Sequence, residues 1–213
     1  MAVMLRPFAL VLVLCIAGCV APSRDGRRPV AKQTVAPPDL RQCLADLSAL
    51  NTRYTALPEQ DFGNGCSIKG AVSLSVAAVP VTNVLAIRCP AAKALTQWVA
   101  SDVQAAAVRH FGARVARIES MGSYSCRRMI GNGSGRISEH ASANAIDIGG
   151  FVLANGRRVT VEAGWNGAND ERNFLRDVRT AGCRRFQTVL SPDYNTAHYN
   201  HLHFDMGRGP FCR

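Results

Sequence analysis

The cysteines constrain the fold of this chain more than any other feature of its sequence. The chain has eight, and six of them are spread along residues 41–213: Cys43, Cys66, Cys89, Cys126, Cys183 and Cys212. An even number of cysteines in an exported chain is typical of a disulfide-bonded domain. These six therefore predict three disulfides, and their pairing is left open. The alternative is a cysteine zinc site, but its usual Cys-x-x-Cys pair does not occur in the sequence.

The other two cysteines lie in an N-terminal segment that is typical of an export signal. Arg6 precedes an apolar run over residues 8–16, which is too short to span a bilayer as a helix. The run continues into Ala17-Gly18-Cys19, which resembles the cleavage site of bacterial lipoproteins. We therefore expect residues 1–18 to be a lipoprotein signal peptide and Cys19 to carry the lipid. The alternative is a plain signal peptide that is cut near Ala21.

The segment after the signal peptide has the composition of a tether. Residues 19–40 contain four prolines and four basic residues and show no apolar periodicity, which favours an extended spacer. The alternative is a disordered spacer of no particular length. Val20, not an aspartate, follows Cys19, and by resemblance to lipoprotein sorting this predicts a lipid anchor in the outer membrane, facing the periplasm. Export excludes cytoplasmic nucleic acid as a partner.

The net charge of the chain narrows the choice of partners. Lys and Arg number 25 against 15 Asp and Glu, which gives a formal charge of +10. Such an excess favours anionic partners. In an exported chain, these are anionic lipids or a carboxylate-rich polymer of the cell envelope.

Helical and strand patterns are mixed along residues 41–213. Apolar residues at three-and-four spacing predict helices over residues 39–50, 90–111 and 170–181, the last ending at Gly182. Strands are predicted at residues 71–87, 115–121, 147–153, 158–161, 188–190 and 203–206. Asn155-Gly156 between two of these strands is a hairpin signal. Helices mixed with hairpins predict an α+β domain, with a mostly antiparallel sheet and flanking helices.

The histidines are few and cluster near the C-terminus. Three of the five lie in the sequence His198-Tyr-Asn-His201-Leu-His203-Phe-Asp205, and alternation along a strand places the last two histidines and Asp205 on one face. Each imidazole needs polar partners, and metal binding would satisfy that need. Upstream, His140 and Asp147 stand seven residues apart, the aspartate at the head of an apolar strand. The alternative for this pair is a loop histidine and a turn-capping aspartate.

The two segments together form a pattern, His-x6-Asp followed by His-x-His. It resembles the zinc peptidase group that includes D-Ala-D-Ala carboxypeptidases and murein endopeptidases. The stretch from about Cys43 to Arg213 also resembles the bacterial extensin-like C-terminal domain family. The matching segments are Gly122–Arg127, Ser138–Asp147, Cys183–Phe186, Pro192–Asn195 and His198–Asp205.

These resemblances imply a fold like that of the D-Ala-D-Ala metallopeptidases and a bound zinc ion. His140, Asp147 and His203 would be its ligands. Three protein ligands leave a fourth position for water, which is the arrangement of catalytic zinc sites.

The peptidase resemblance also implies roles for the residues around the metal. His201 would be a catalytic proton carrier or oxyanion stabiliser, and Arg127 would hold a substrate carboxylate, unless it is a surface arginine. Asp205 would orient a ligand imidazole, unless it is a solvated strand-end carboxylate. The chain lacks the glutamate that many relatives place close before the last zinc histidine, so the base would be His201 or Asp193, or there is none. Ala143 stands where the peptidase pattern usually has glycine.

The function implied is that of an exported zinc metallopeptidase. We expect a hydrolase that cleaves peptide bonds in peptidoglycan, as a carboxypeptidase or an endopeptidase. One alternative is a non-catalytic module that binds peptidoglycan and retains the metal cleft. The other is a structural envelope lipoprotein whose histidines bind nothing.

Overall fold

The computed structural model describes residues 38–76, 79–129 and 135–213. The expected signal peptide (residues 1–18), Cys19 and all but the end of the tether (residues 19–40) lie outside these ranges. The lipid anchor therefore stays a prediction. Within the described ranges, no helix has the length and apolar character that crossing a membrane requires.

The domain has five α-helices in the described ranges, and strands follow the last of them. The helices are α1 (Pro38–Ala49), α2 (Cys89–Gln97), α3 (Gln104–Phe111), α4 (Val161–Gly164) and α5 (Asn169–Gly182). A π-helical segment, Trp98–Val103, joins α2 to α3 without a break. Two short 3-10 turns, Glu139–Ser142 and Thr196–His198, precede strands of the main sheet.

The strands form three sheets. They are β1 (Arg53–Ala56), β2 (Gln60–Gly63), β3 (Cys66–Ile68), β4 (Ala71–Val76), β5 (Ile87–Arg88), β6 (Val115–Gly122), β7 (Ala145–Leu153), β8 (Arg158–Thr160), β9 (Thr188–Leu190), β10 (Leu202–Asp205) and β11 (Phe211–Cys212). The main sheet has the order β11-β9-β10-β7-β6, and β8 also pairs with β7. All of its pairings are antiparallel except that of β11 with β9. The predicted α+β class with a mostly antiparallel sheet is confirmed.

The core lies between the main sheet and the helices, and Trp98 is at its centre. Its indole ring is fully buried and packs on Phe204 of β10, with ring centroids 4.9 Å apart, and on Phe151 of β7, at 6.1 Å. The indole Nε1 donates a hydrogen bond to the carbonyl oxygen of Val178 in α5, at 2.9 Å. One buried side chain thus joins the helices to the two central strands.

Two predicted helix details differ from the structure. The helix expected over residues 90–111 is continuous, but its middle, Trp98–Val103, is π-helical, which apolar spacing alone does not reveal. Gly182 was expected to stop α5, but it is the last residue of that helix. A Cβ at Gly182 would overlap the ring of Phe204, so the glycine permits close packing of α5 on β10. The predicted hairpin around Asn155-Gly156 is confirmed.

The six cysteines of the domain form three disulfides, as predicted. Cys43–Cys89 joins α1 to α2, Cys66–Cys126 joins β3 to the segment after β6, and Cys183–Cys212 joins the end of α5 to β11. No cysteine remains for the alternative of a cysteine zinc site within residues 41–213.

Replacing Phe204 by alanine tests the packing beneath the central strands. Because the ring is fully buried against Trp98 and Gly182, we expect Phe204→Ala to lower the free energy of unfolding by about 3–5 kcal/mol. Urea denaturation measures this loss. The matched control is Phe62→Ala, since Phe62 is 51% exposed and its loss should cost no more than about 0.5 kcal/mol. Equal losses in the two variants would contradict this view of the core.

Candidate metal centre

The register of β7 and β10 builds the centre of the site. Asp147 lies directly opposite His203 in this antiparallel pair, so their side chains share one face of the sheet. The flanking residues Ile146, Ile148 and Phe204 are fully buried in the core on the other face. The apolar alternation that fixes the register therefore also fixes the contact between the carboxylate and the imidazole.

A tight turn before β7 brings His140 to the same place. The Ser138 hydroxyl accepts a hydrogen bond from the His140 amide at 3.3 Å and caps the 3-10 turn. Ala143 ends the turn in the left-handed region, with φ 55°. That conformation favours glycine. Alanine there carries a strain of about 1 kcal/mol.

Three buried donor groups meet in this cluster, which we call the His-Asp-His cluster: His140, Asp147 and His203. His140 Nε2 lies 3.1 Å from Asp147 Oδ2 and 3.2 Å from His203 Nδ1, which is 2.9 Å from Asp147 Oδ1. A tetrahedral ion with bonds of about 2.0–2.1 Å keeps neighbouring ligand atoms about 3.3 Å apart. The donor set therefore fits a divalent metal ion after shifts of a few tenths of an ångström.

Two further groups hold the imidazoles from behind. His203 Nε2 is 2.9 Å from Asp205 Oδ2, and His140 Nδ1 is 3.2 Å from the carbonyl oxygen of Ser123. Asp205 is itself held by the Gly207 amide, which donates to Oδ1 at 2.7 Å. Acceptors on the far nitrogens fix the ring orientation and leave His203 Nδ1 and His140 Nε2 facing the cluster, as around bound metals.

The pKa values of Asp147 and His203 are shifted in opposite directions. Burial disfavours the charged form of Asp147, but hydrogen bonds from His140 and His203 outweigh it and hold the pKa of that carboxyl far below its ordinary value. Burial also disfavours the charged form of His203, but hydrogen bonds to Asp147 and Asp205 outweigh it and raise the pKa of the imidazole to about 9. The raised pKa favours the protonated form of this imidazole, so a metal ion would have to compete with that proton.

His201 and His198 lie next to the cluster and are neutral. His201 Nε2 is 3.6 Å from Asp147 Oδ1, and its Nδ1 is 2.9 Å from the side-chain oxygen of Asn200. Burial lowers the pKa of His201, and burial together with the charges of neighbouring imidazoles lowers the pKa of His198 to about 4. His201 can accept a proton at Nε2 on the side that faces the cluster.

A cavity of about 700 Å³ opens over the cluster. Arg127 lines it, with one guanidinium nitrogen 3.8 Å from Asp147 Oδ2. Arg136 and Arg208 also line it. The Cys66–Cys126 disulfide anchors the chain next to Arg127. The cavity is therefore suited to a ligand that carries carboxylates.

The site residues predicted from sequence come together, with one exception. His140, Asp147 and His203 form the cluster, Asp205 holds the His203 imidazole from behind, and His201 and Arg127 border it. The exception is Asp193, the alternative base. Its carboxylate accepts hydrogen bonds from Trp165 Nε1 at 2.8 Å and from Arg176 at 3.0 Å, and it does not line the cavity.

Sequence reasoning missed three contributors to the site. The carbonyl of Ser123 has no sequence signal, because any residue supplies a backbone oxygen. Glu139 lines the cavity, and its Oε2 accepts a hydrogen bond from the Asn144 side chain at 2.7 Å. This hydrogen bond holds the carboxylate in place. Tyr194 also lines the cavity. The turn before the second 3-10 segment places its ring beside that of His198.

Comparison with known proteins gives one match. Residues 41–213 match the model of a family described as extensin-like protein C-terminus. No curated protein and no solved structure matches the chain significantly. The expected relation to the zinc D-Ala-D-Ala carboxypeptidase group and its fold stays a prediction.

The perturbed histidines predict how stability depends on pH in the metal-free protein. The raised pKa of His203 stabilises the fold fully below pH 6.5, and this stabilisation is lost as pH rises through about 9. The half-buried His198 and His201 have the opposite effect, because their pKa values are lowered. Below pH 6.5 the unfolded chain gains protons that the folded protein resists, so stability falls. We expect the free energy of unfolding, measured with urea in the presence of a chelator, to peak near pH 6.5.

The matched variant for this measurement is Asp205→Asn. It removes one of the two carboxylates that raise the pKa of His203. The loss of stability between pH 6.5 and 9, on the order of 3 kcal/mol in the native protein, should therefore shrink in the variant. An unchanged loss would mean that His203 does not carry the proton.

Proposed function

The chain belongs to the extensin-like C-terminal family, and we propose that it is a zinc-dependent hydrolase that cleaves peptide bonds in peptidoglycan. The observation that carries the proposal is the buried His-Asp-His cluster at the base of a cavity lined by arginines. The resemblance of the two histidine segments to zinc peptidases supports the choice of reaction.

Zinc is the metal that best suits this donor set. Two imidazole nitrogens and one carboxylate are typical ligands of catalytic zinc, and three ligands leave one position open. When bound, zinc supplies Lewis acidity and a water molecule of lowered pKa. Asp205 and the Ser123 carbonyl would hold the ligand imidazoles in the orientation that they already have.

His201 is the proposed proton carrier. Its neutral state at pH 7 and its Nε2, directed towards the cluster, allow it to take a proton from a water molecule in the cavity. Asn200 accepts the hydrogen on Nδ1, which fixes the tautomer with a free electron pair on Nε2. The same imidazole would then return the proton to the leaving amine.

Arg127 is the proposed contact for a substrate carboxylate. It lies between the cluster and the cavity wall, where a bidentate interaction with a peptide carboxylate is possible. The formal charge of +10 favours the approach of a polymer whose peptides are acidic.

The proposed location is the cell envelope. A lipid on Cys19 and a tether up to residue 40 would hold the domain at the outer membrane, facing the periplasm and its wall. Only the amino-acid sequence supports this part, through the short apolar run before Ala17-Gly18-Cys19.

A second function is favoured by one observation. Of the two carboxylates that line the cavity, Glu139 is held by Asn144 and Asp205 by His203 and the Gly207 amide. Asp193 lies outside the cavity and is bound to Trp165 and Arg176. No free carboxylate therefore lies ready to act as base among the described cavity residues. If His201 does not act as the base either, the domain would bind zinc and peptidoglycan without cleaving it.

The metal assignment predicts the zinc content of the protein. We expect about one zinc ion per chain after loading and dialysis, measured by elemental mass spectrometry. His140→Ala removes a ligand and should abolish this binding. The matched control is His110→Ala, because His110 binds Asp177 on α5, away from the cluster. Zinc retained by His140→Ala, in a folded protein, would contradict the ligand set.

The proton-carrier assignment predicts how activity depends on His201. We expect the zinc-loaded protein to release peptide-containing fragments from isolated sacculi, detected by mass spectrometry. His201→Ala should lower the rate about 10²–10⁴-fold while zinc binding persists, because His201 is not in the donor set. A protein that holds zinc and binds sacculi, but releases no fragments at any pH, would favour the non-catalytic module.

A further inference from the structure

We propose that the far end of the cavity, formed by Tyr194 and Phe211, binds a sugar ring of the substrate. We call these two side chains the aromatic corner. The inference rests on the proposed function, because the peptides of peptidoglycan are attached to a chain of amino sugars. Nothing in the sequence patterns or the family match assigns a role to either residue.

A row of rings connects the aromatic corner to the metal centre. The ring centroids of His203 and His198 are 6.0 Å apart, those of His198 and Tyr194 are 5.5 Å apart, and those of Tyr194 and Phe211 are 5.8 Å apart. All four residues line the same cavity. A ligand that reaches the cluster at one end can therefore contact the corner at the other.

The two rings of the corner are partly open to solvent. Tyr194 is 39% and Phe211 is 41% exposed, although aromatic rings of this size are usually well buried. Their planes meet at 83°, so one ring presents its face next to the edge of the other. The C–H groups on one side of a pyranose ring pack well against such an aromatic face.

The Phe211 side of the corner is fastened to the main sheet. Phe211 lies on β11, which pairs with β9 and is anchored to the end of α5 by the Cys183–Cys212 disulfide. The carbonyl of Arg213 accepts a hydrogen bond from the Ser191 hydroxyl at 2.9 Å. Preorganised walls reduce the entropy that is lost on binding.

Polar groups beside the rings favour a sugar over an apolar peptide side chain. The Asn195 side-chain oxygen is bound by the Ala197 amide and faces His198 Nδ1 at 2.7 Å. Its amide nitrogen has no hydrogen-bond partner in the described part of the chain and can donate to a ligand. Exposed Arg208 and Thr188 also line this end. The Thr188 hydroxyl donates to the carbonyl oxygen of Arg208 at 2.9 Å, so it can only accept from a ligand. Hydroxyl and acetamido groups of an amino sugar would use these partners, whereas an aliphatic side chain would not.

The size of the cavity agrees with a ligand that consists of a peptide and a sugar. At about 700 Å³, it lies within the range of roughly 300–1,000 Å³ for sites that enclose ligands of drug size. Two amino acids around a scissile bond would leave the corner empty. A peptide that is still attached to its sugar would fill both ends.

The test compares two probes on the full-length, metal-free protein, so that cleavage does not interfere. One probe is a disaccharide tetrapeptide from peptidoglycan, and the other is the same tetrapeptide without sugar; calorimetric titration gives both dissociation constants. We expect the sugar-bearing probe to bind about tenfold more tightly. Tyr194→Ala and Phe211→Ala should reduce this ratio to a value between about one and three. Tyr194→Phe should preserve the ratio, because the aromatic ring makes the contact.

The control is Phe62→Ala, which removes an exposed ring outside the cavity and should leave the ratio unchanged. The inference is overturned if neither probe binds at millimolar concentration, if the ratio is near one in the native protein, or if both probes weaken equally in Tyr194→Ala. Equal weakening would indicate a peptide side chain at the corner. Zinc content and sacculus digestion decide the proposed function separately, so the two failures are distinguishable.

Discussion

The contact between Asp147 and His203 across two antiparallel strands is the interaction on which the site depends. It exists because β7 and β10 are paired in one register, with their apolar side chains on the core face. A slip of one residue would turn the carboxylate and the imidazole into the core and the isoleucines into the cavity. Burial of Ile146 and Ile148 therefore selects the register, and the polar pair follows from it.

This pair also explains why a buried charge is tolerated so close to the core. Taking a carboxylate and an imidazolium out of water is costly, yet Asp147 and His203 have each other, and Asp205 and His140 supply further partners. The three donor atoms then face one another without rearrangement of the backbone. If a divalent ion binds here, as proposed, it would replace a proton on His203.

Much of this architecture could be predicted from sequence, because it rests on local patterns. Alternation placed Asp147, His203 and Asp205 on strands, and apolar spacing located α5 almost to the residue. The strands β1–β3 are short and mostly exposed or half-buried, so they lack the apolar alternation that predicts a strand. Disulfide pairing, the binding of Asp193 to Trp165, and the carbonyl of Ser123 depend on how distant segments pack, which no local pattern encodes.

The walls of the cavity depend on whether two of the disulfides are formed. Cys66–Cys126 ties down the chain beside Arg127, and Cys183–Cys212 ties down the strand that carries Phe211, closing sequence separations of 60 and 29 residues. Both walls are therefore fastened covalently, while the floor made by β7 and β10 is held by strand pairing, the contact of Asp147 with His203 and burial. Reduction of these two disulfides would therefore loosen the walls first and leave the floor in place.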